Sequence, residues 1–503
     1  MENTILGAIL FTVLSLVVLY FFLTREHKNL PPSPPPLPII GHLHHLKLPL
    51  HRTLHGLSSK YGPVMTLRFG ARRIVVVSSL PLAEECFTKN DIVLAHRPKL
   101  FISEHLGYNY TTIVTASYGD RWRNLRKIAT IEVFSSHRLN MLSHVRRDEI
   151  WQLMLRLARG GFGSHHRVEL KTLLSELTFN IMMRMIAGKR YYGEGVNVDE
   201  AEAREARGVI KQIAGQGGIR HLGDFLPILK LVDYDGVMKR VVQLKEKIDV
   251  FIQGLIDEHR RKKGDPELAD SMISHLLRRQ ESQPEDYSDF MIKGLVIVLL
   301  IAGTDTSSLT LEWIMANLLN NPEKLKKAQE EIDSVIGSDR LVEESDVSKL
   351  PYLQCVIFET LRLNTTAPLL VPHASSADCT IGGYLVPRDT ILLVNAWAIH
   401  RDPELWEDPL RFKPERFEGS GGEKQHKLIL PFGLGRRACP GAHLAQRVMG
   451  STLGLLIQCF DWKRVSEEEI DMREGPGTTM PKVVPLELLC KVRPSMEKLV
   501  PKD

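Results

Sequence analysis

Pro431-Phe432-Gly433-Leu434-Gly435-Arg436-Arg437-Ala438-Cys439-Pro440-Gly441 is the stretch on which the reading of this chain turns. It sets one cysteine just ahead of an apolar helical pattern that begins near Ala442. The unpaired N–H groups of a helix start and the guanidinium of Arg437 both favour a sulfur in its anionic form. Gly433, Gly435 and Gly441 let backbone N–H groups come close to that sulfur. A thiolate that is hydrogen-bonded yet electron-rich is what an axial ligand of haem iron must be. Two other chemistries share parts of the pattern. A phosphate loop needs a Gly-Lys-Ser/Thr ending, which is missing. A cysteine hydrolase needs a placed histidine partner, which sequence does not reveal.

The rest of the chain limits the choice. It has 503 residues, 43% hydrophobic, 25% charged and 7% aromatic, the balance of a folded globular protein. Lys and Arg total 65 against 60 Asp and Glu, so the net charge of +5 carries no nucleic-acid signature. Cys86, Cys355, Cys379, Cys439, Cys459 and Cys490 lie far apart without a CxxC pair, which argues against a disulfide scaffold or a structural zinc site.

Residues 3–24 are free of charge, long enough as a helix to cross a ~30 Å hydrocarbon core. The preceding Glu2 and the lack of a small-x-small cleavage site argue against a signal peptide. Arg25 and Lys28 follow, so the positive-inside rule leaves the remainder in the cytosol. The expectation is a single-pass anchor in the endoplasmic reticulum membrane. Residues 30–41 (LPPSPPPLPIIG) read as a stiff polyproline hinge, although PxxP is also an SH3-type ligand pattern.

Residues 42–503 show no second linker and no repeat, and are read as one catalytic domain. Val64–Val77 predicts a β-hairpin and Thr390–Val394 a strand. Helical patterns cover about 117–134, 167–187, 236–262, 284–319, 322–336, 350–363 and 442–459. The class is mainly α with a small β-sheet region. Gly294–Gly303 is apolar on every side but too short to span a bilayer, so it predicts a buried central helix.

Phe432-x-x-Gly435-x-Arg437-x-Cys439-x-Gly441 resembles the haem-binding signature of the cytochrome P-450 superfamily at all of its fixed positions. The resemblance implies the P-450 fold, haem b and Cys439 as the iron ligand. Further family motifs follow in order. Glu359-Thr360-Leu361-Arg362 is similar to ExxR, whose ends share a helix face, and Pro414-Glu415-Arg416-Phe417 to the PERF element. The implied role of Glu359, Arg362 and Arg416 is a buried structural network.

Ala302-Gly303-Thr304-Asp305-Thr306-Ser307 resembles the oxygen-activation motif, with Thr306 and Asp305 as the implied catalytic residues. A bare reading of Thr306 would have its hydroxyl bond back to its own helix. Trp122-Arg123-Asn124-Leu125-Arg126 resembles WxxxR, implying that Trp122 and Arg126 hold the haem propionates, with Arg437 and His373 as further contacts. No flavin or nicotinamide motif is visible, so NADPH electrons are expected through a separate NADPH–cytochrome P-450 reductase, docking on Arg121, Arg123, Lys127, Arg436 and Arg447.

Leu369–His373, Thr380–Tyr384 and Leu453–Cys459 resemble the plant branch that contains isoflavone 2'-hydroxylases and sesamin synthase. That implies a hydrophobic phenolic substrate, an isoflavonoid, lignan or related phenylpropanoid, oxidised by hydroxylation or oxidative ring closure. Terpenoids and alkaloids stay open as substrates, and a reductase-independent isomerase or dehydratase as another reaction class. The chain departs from the pattern at Asn364-Thr365-Thr366, where an aromatic or His followed by Pro is usual. It departs again at Ala374, where an acid is common, and at Thr478, where Leu is usual. Expected substrate-lining residues are Leu300, Ile301, Thr365, Thr366, Ala367, Leu369, Thr478 and Thr479, plus the 101–115 loop.

Overall fold

The computed structural model describes residues 29–500 except 195, 197, 216–220, 231, 232, 234 and 235, with isolated positions 7, 11, 12 and 15 before them. The expected anchor over 3–24 otherwise lies outside the described residues. In chain order, the elements that matter here are α1 (Leu50–Tyr61), β1 (Val64–Phe69), β2 (Arg72–Val77), α2 (Leu80–Phe87), α3 (Asp120–Ile128) and α4 (Ser143–Ala158). There follow β3 (His166–Glu169), α5 (Leu170–Ala187), α6 (Val237–Arg261), α7 (Asp289–Asn320), α8 (Pro322–Val335) and α9 (Pro351–Leu363). Last come β4 (His373–Ala374), β5 (Cys379–Ile381), β6 (Tyr384–Val386), β7 (Ile391–Val394), α10 (Ala442–Cys459), β8 (Phe460–Arg464) and β9 (Glu487–Val492).

These elements form two compact units interleaved along the chain, so no single linker marks the seam. The first gathers residues 1–98, 221–234 and 369–395; the second holds the rest. In the first, a four-stranded sheet runs β1-β2-β7-β4. The β1–β2 hairpin pairs Val64 with Val77, and β7 joins β2 in parallel with Ile74 opposite Ile391. Ile74–Val77 and Ile391–Val394 are buried, which explains a run of branched apolar residues without alternation. The hairpin needs glycine at Gly70: its φ is +54° and a Cβ there would stand 2.1 Å from the Phe225 carbonyl oxygen.

The second unit is helical around α7. Ser288 caps that helix by accepting the Met291 N–H, and Pro322 opens α8 one residue after the α7 C-cap, Asn321. Among the described residues α7 alone is long and apolar enough to cross a membrane, yet most of it is buried within the protein. A helix covered by protein over most of its surface has little reason to be amphipathic. Gly303 permits the close approach of α5: a Cβ there would lie 2.5 Å from the Met182 sulfur.

Two expected helices differ in the structure. The pattern over 117–134 is α3 followed by a π turn, Ala129–Val133. The wider turn carries Glu132 inward to meet His275 Nε2 at 2.5 Å and Arg279 at 3.1 Å. The pattern over 167–187 starts as strand β3, because Val168 pairs with Leu488 of β9. That partner is some 320 residues away, beyond any local periodicity.

Candidate active site

The Cys439 loop is folded by its own backbone. The Cys439 N–H donates to the Phe432 carbonyl at 2.8 Å, and Gly433 and Gly435 take left-handed φ values of +68° and +67°. Gly441 is the N-cap of α10 with an ordinary φ of −90°; its contribution is an N–H directed at the sulfur. Cys439 is exposed, unlike the buried Cys86, Cys355, Cys459 and Cys490. Protein crowds the sulfur from its other sides, and that burial pushes the thiol up, while the Gly441 N–H and the Arg126 charge pull it back. Burial holds the Cys355 and Cys459 thiols near about 12. The sequence pointed to Arg437 as the guanidinium beside the sulfur. The structure gives that place to Arg126, because Arg437 turns away.

Arg437 donates to the carbonyls of Ile113 at 3.1 Å and Ala116 at 2.5 Å, and lies over the Trp122 ring at 4.4 Å. Trp122 is buried, and its indole N–H also donates to Ile113, at 3.0 Å. Burial, helped by the Arg126 charge, brings Arg437 down to about 10. Arg126, one turn after Trp122 on α3, donates to the Ala438 carbonyl at 2.7 Å. It is half-buried and, among the described residues, pairs with no carboxylate. Two crowded guanidiniums beside a helix-start cysteine suit a planar group that brings its own carboxylates, as haem does. The residues present therefore fit haem: Cys439 would hold the iron, with Arg126 and Arg437 as the nearest cations. His373 belongs to the other compact unit, buried on β4 with Nδ1 2.7 Å from the Leu94 carbonyl oxygen and its ring against Phe87.

The middle of α7 carries the polar break. Ile301, 38% exposed, and Ala302 stand open where the flanking turns are buried. Leu300 is 1% exposed and points into the helical core, so it packs instead of lining a recess. The Thr306 hydroxyl donates to the Ala302 carbonyl at 2.6 Å, the back-bonded state. Its lone pairs still accept a hydrogen bond in that state, and it becomes a donor to anything else only by turning away from Ala302. Thr310 repeats the motif on the Thr306 carbonyl at 2.8 Å, and Thr178 reaches the Thr304 carbonyl from α5 at 2.8 Å. Asp305 projects to the Thr479 hydroxyl, which donates to Oδ2 at 2.7 Å.

Behind the loop lies a buried ionic network. Arg362 grips Glu359 with two bonds of 2.8 Å, both side chains fully buried. It also donates to the carbonyls of His400 and Pro409, at 2.6 and 2.8 Å. Arg416 adds a 3.1 Å bond to Glu359, and the Trp406 ring lies under both guanidiniums. Removing one partner from such a pair strands a buried charge at a cost of about 3–5 kcal/mol.

His400 was missed by sequence reasoning. Its Nε2 accepts the Leu430 N–H at 2.7 Å, at the mouth of the cysteine loop, so Nδ1 carries the proton and faces Thr365 Oγ1 at 2.7 Å. A lone histidine far from any motif gives no signal; only the fold brings it here. Thr365, expected at the substrate, is fully buried and occupied by this contact and the Leu361 carbonyl. Thr366 is buried too, 2.9 Å from Thr310 Oγ1. Ala367 is half-buried and Thr478 exposed, while Leu369 lies in the other unit.

Comparison with known proteins adds to this geometry. The family model described as Cytochrome P450 matches residues 31–487. The chain is 54% identical to an isoflavone 3'-hydroxylase of Medicago truncatula over 96% of both chains. It is 52% identical to an isoflavone 2'-hydroxylase of Glycyrrhiza echinata, over 98% of this chain and 99% of the other. To a (+)-piperitol/(+)-sesamin synthase of Sesamum radiatum it is 49% identical, over 99% of both.

Proposed function

The chain belongs to the cytochrome P450 family, and we propose that within it this monooxygenase oxidises a hydrophobic plant aromatic, an isoflavonoid, lignan or related phenylpropanoid. Haem bound through a cysteine thiolate supplies the oxygen chemistry, with NADPH electrons arriving through a reductase. The observation that carries the site assignment is the cysteine at a helix start, with the Gly441 N–H and the Arg126 charge both acting on its sulfur. Arg126, Arg437 and Trp122 are the residues proposed to seat the propionates. Ile301 and Ala302 offer an apolar surface suited to a flat aromatic ring. Thr306 is proposed to hold a water or a proton at its hydroxyl, and Asp305 to relay protons towards it.

The composition of residues 3–24 supports a membrane anchor, with the catalytic body on the cytosolic side of the endoplasmic reticulum. For electron delivery, Arg123 and Arg436 both stack on the Tyr118 ring at 5.5 Å, and Arg121 and Lys127 are exposed on α3. Arg447 is half-buried and tied to Glu344 and Asn140, which leaves it outside the proposed docking face, whereas Arg123 stays exposed beside its partner Asp120.

The test combines spectroscopy with a substrate panel. Cys439→Ser should abolish the red-shifted absorption of the reduced carbon monoxide complex. Isoflavones and lignans should give spin shifts in the parent, and NADPH with reductase should yield a product heavier by one oxygen or lighter by two hydrogens. A panel in which only terpenoids or alkaloids shift the spectrum would overturn the substrate class.

A further inference from the structure

Thr479 sits in the C-terminal loop, a segment whose expected part was to touch substrate. We infer that Thr479 is instead a positioning residue for Asp305: its hydroxyl anchors the carboxylate and so aims the proton relay on α7. The inference rests on the reading of Asp305 and Thr306 given above.

The loop is held so that this hydroxyl has little freedom. Its two ends meet, with Gly475 N–H donating to the Pro481 carbonyl at 2.7 Å and Glu474 bridged to Lys482. Glu474 is itself held by the Trp397 indole at 2.8 Å. Met480, the residue after Thr479, is bound on both sides of its backbone. Its N–H donates to the Thr366 carbonyl at 3.0 Å, and its carbonyl accepts the Trp313 indole N–H at 2.8 Å. Gly477 makes the tight tip possible, since a Cβ there would stand 2.5 Å from the Thr479 carbonyl oxygen.

Trp313 lies on α7, two turns after Thr306. The helix that carries Asp305 therefore also fixes the residue next to Thr479, and the 2.7 Å bond from Thr479 Oγ1 to Asp305 Oδ2 closes a ring between helix and loop. Thr366, which anchors Met480, meets Thr310, and Thr310 caps the Thr306 carbonyl. A short polar circuit thus runs from Thr306 through Thr310, Thr366, Met480 and Thr479 to Asp305. The proton itself passes from solvent to the Asp305 carboxylate and on to the acceptor at Thr306; Thr479 keeps its own.

Three variants test this in the haem-loaded, reductase-reconstituted enzyme with an isoflavone as probe: Thr479→Val, Thr479→Ser and Asp305→Asn. Thr479→Val should keep the probe's spin shift and KM but lower product formed per NADPH several-fold, about tenfold at most, less than the ~10²–10⁴ typical of losing a proton-transfer group outright. Its coupling-against-pH profile should move away from that of the parent, and Thr479→Ser should restore both. Independently of turnover, the infrared C–O stretch of the ferrous carbon monoxide complex should broaden in Thr479→Val as the carboxylate loses its anchor, and match the parent in Thr479→Ser. Parental coupling, pH profile and C–O band in Thr479→Val would overturn the inference. So would a raised KM with coupling intact, which would make Thr479 a substrate contact. Parental coupling in Asp305→Asn would overturn the underlying reading of Asp305, and the inference with it.

Discussion

Thr306 shows how a single hydroxyl is used twice. In the structure it donates to Ala302, a bond that costs the helix little and leaves the oxygen lone pairs available. Thr306→Ala should therefore fold and bind haem and substrate as the parent does, while NADPH consumption shifts from product to hydrogen peroxide. Coupling equal to the parent would reduce Thr306 to a back-bonded helix residue. Cys439 stands apart in a comparable way: four other cysteines are buried, whereas Cys439 is exposed, with a helix-start N–H acting on its sulfur beside the Arg126 charge. The pull that opposes burial at that sulfur comes from neighbours on two separate elements.

At the scale of elements, α7 is positioned by what its neighbours lack. Gly303 leaves room for Met182, and α5 closes on α7 at that point. Gly303→Ala should lower stability in the parent by about 1–3 kcal/mol, because overpacking outweighs the gain in helix propensity. In a Met182→Ala background the same change should stabilise by about 1 kcal/mol, since the clash is gone and only the propensity remains. Denaturant midpoints of the four proteins would reveal the reversal; equal effects in both backgrounds would show that the Met182 side chain simply swings aside. On α9, Glu359 and Arg362 are joined by Arg416 from the Pro414–Phe417 turn, so the helix supplies one half of a network that a separate segment completes.

At the scale of the whole molecule, two charge effects are measurable. His400 is fully buried, and desolvation, followed by the charges of Arg362 and Arg401, lowers its pKa from 6.5 to about 3. Between those values the unfolded chain binds a proton that the native chain does not. Stability therefore rises with pH across the window and is lost as pH falls below about 6.5. His400→Gln keeps an acceptor for Leu430 and a donor for Thr365 without titrating. Its melting temperature should be lower than the parent's at pH 7 but depend less on pH between 4.5 and 6.5, a range set by where histidine titrates. An unchanged slope would assign the acid loss to other groups. The second effect concerns electron delivery. Reversing Arg123 and Lys127 to Glu should slow haem reduction by the reductase, most at low salt, where screening is weakest, while dithionite still reduces the haem fully. Equal rates across the salt series would exclude that face.

The sequence by itself determined the family and the kind of reaction, because the residues around an iron-bound sulfur and an ion-paired helix face recur at short, fixed spacings. It also determined the long helices, whose 3.6-residue apolar period is local. What tertiary structure alone decided depends on partners remote in sequence. Val168 joins a strand because Leu488 stands opposite. Arg126, not Arg437, faces the sulfur because Trp122 and the Ile113–Ala116 carbonyls draw Arg437 aside. Thr365 is sealed away by His400, and Thr479 meets Asp305 across 174 residues of chain. Hydrogen bonds and burial act over a few ångströms of space, and sequence distance says nothing about which groups the fold brings within that range.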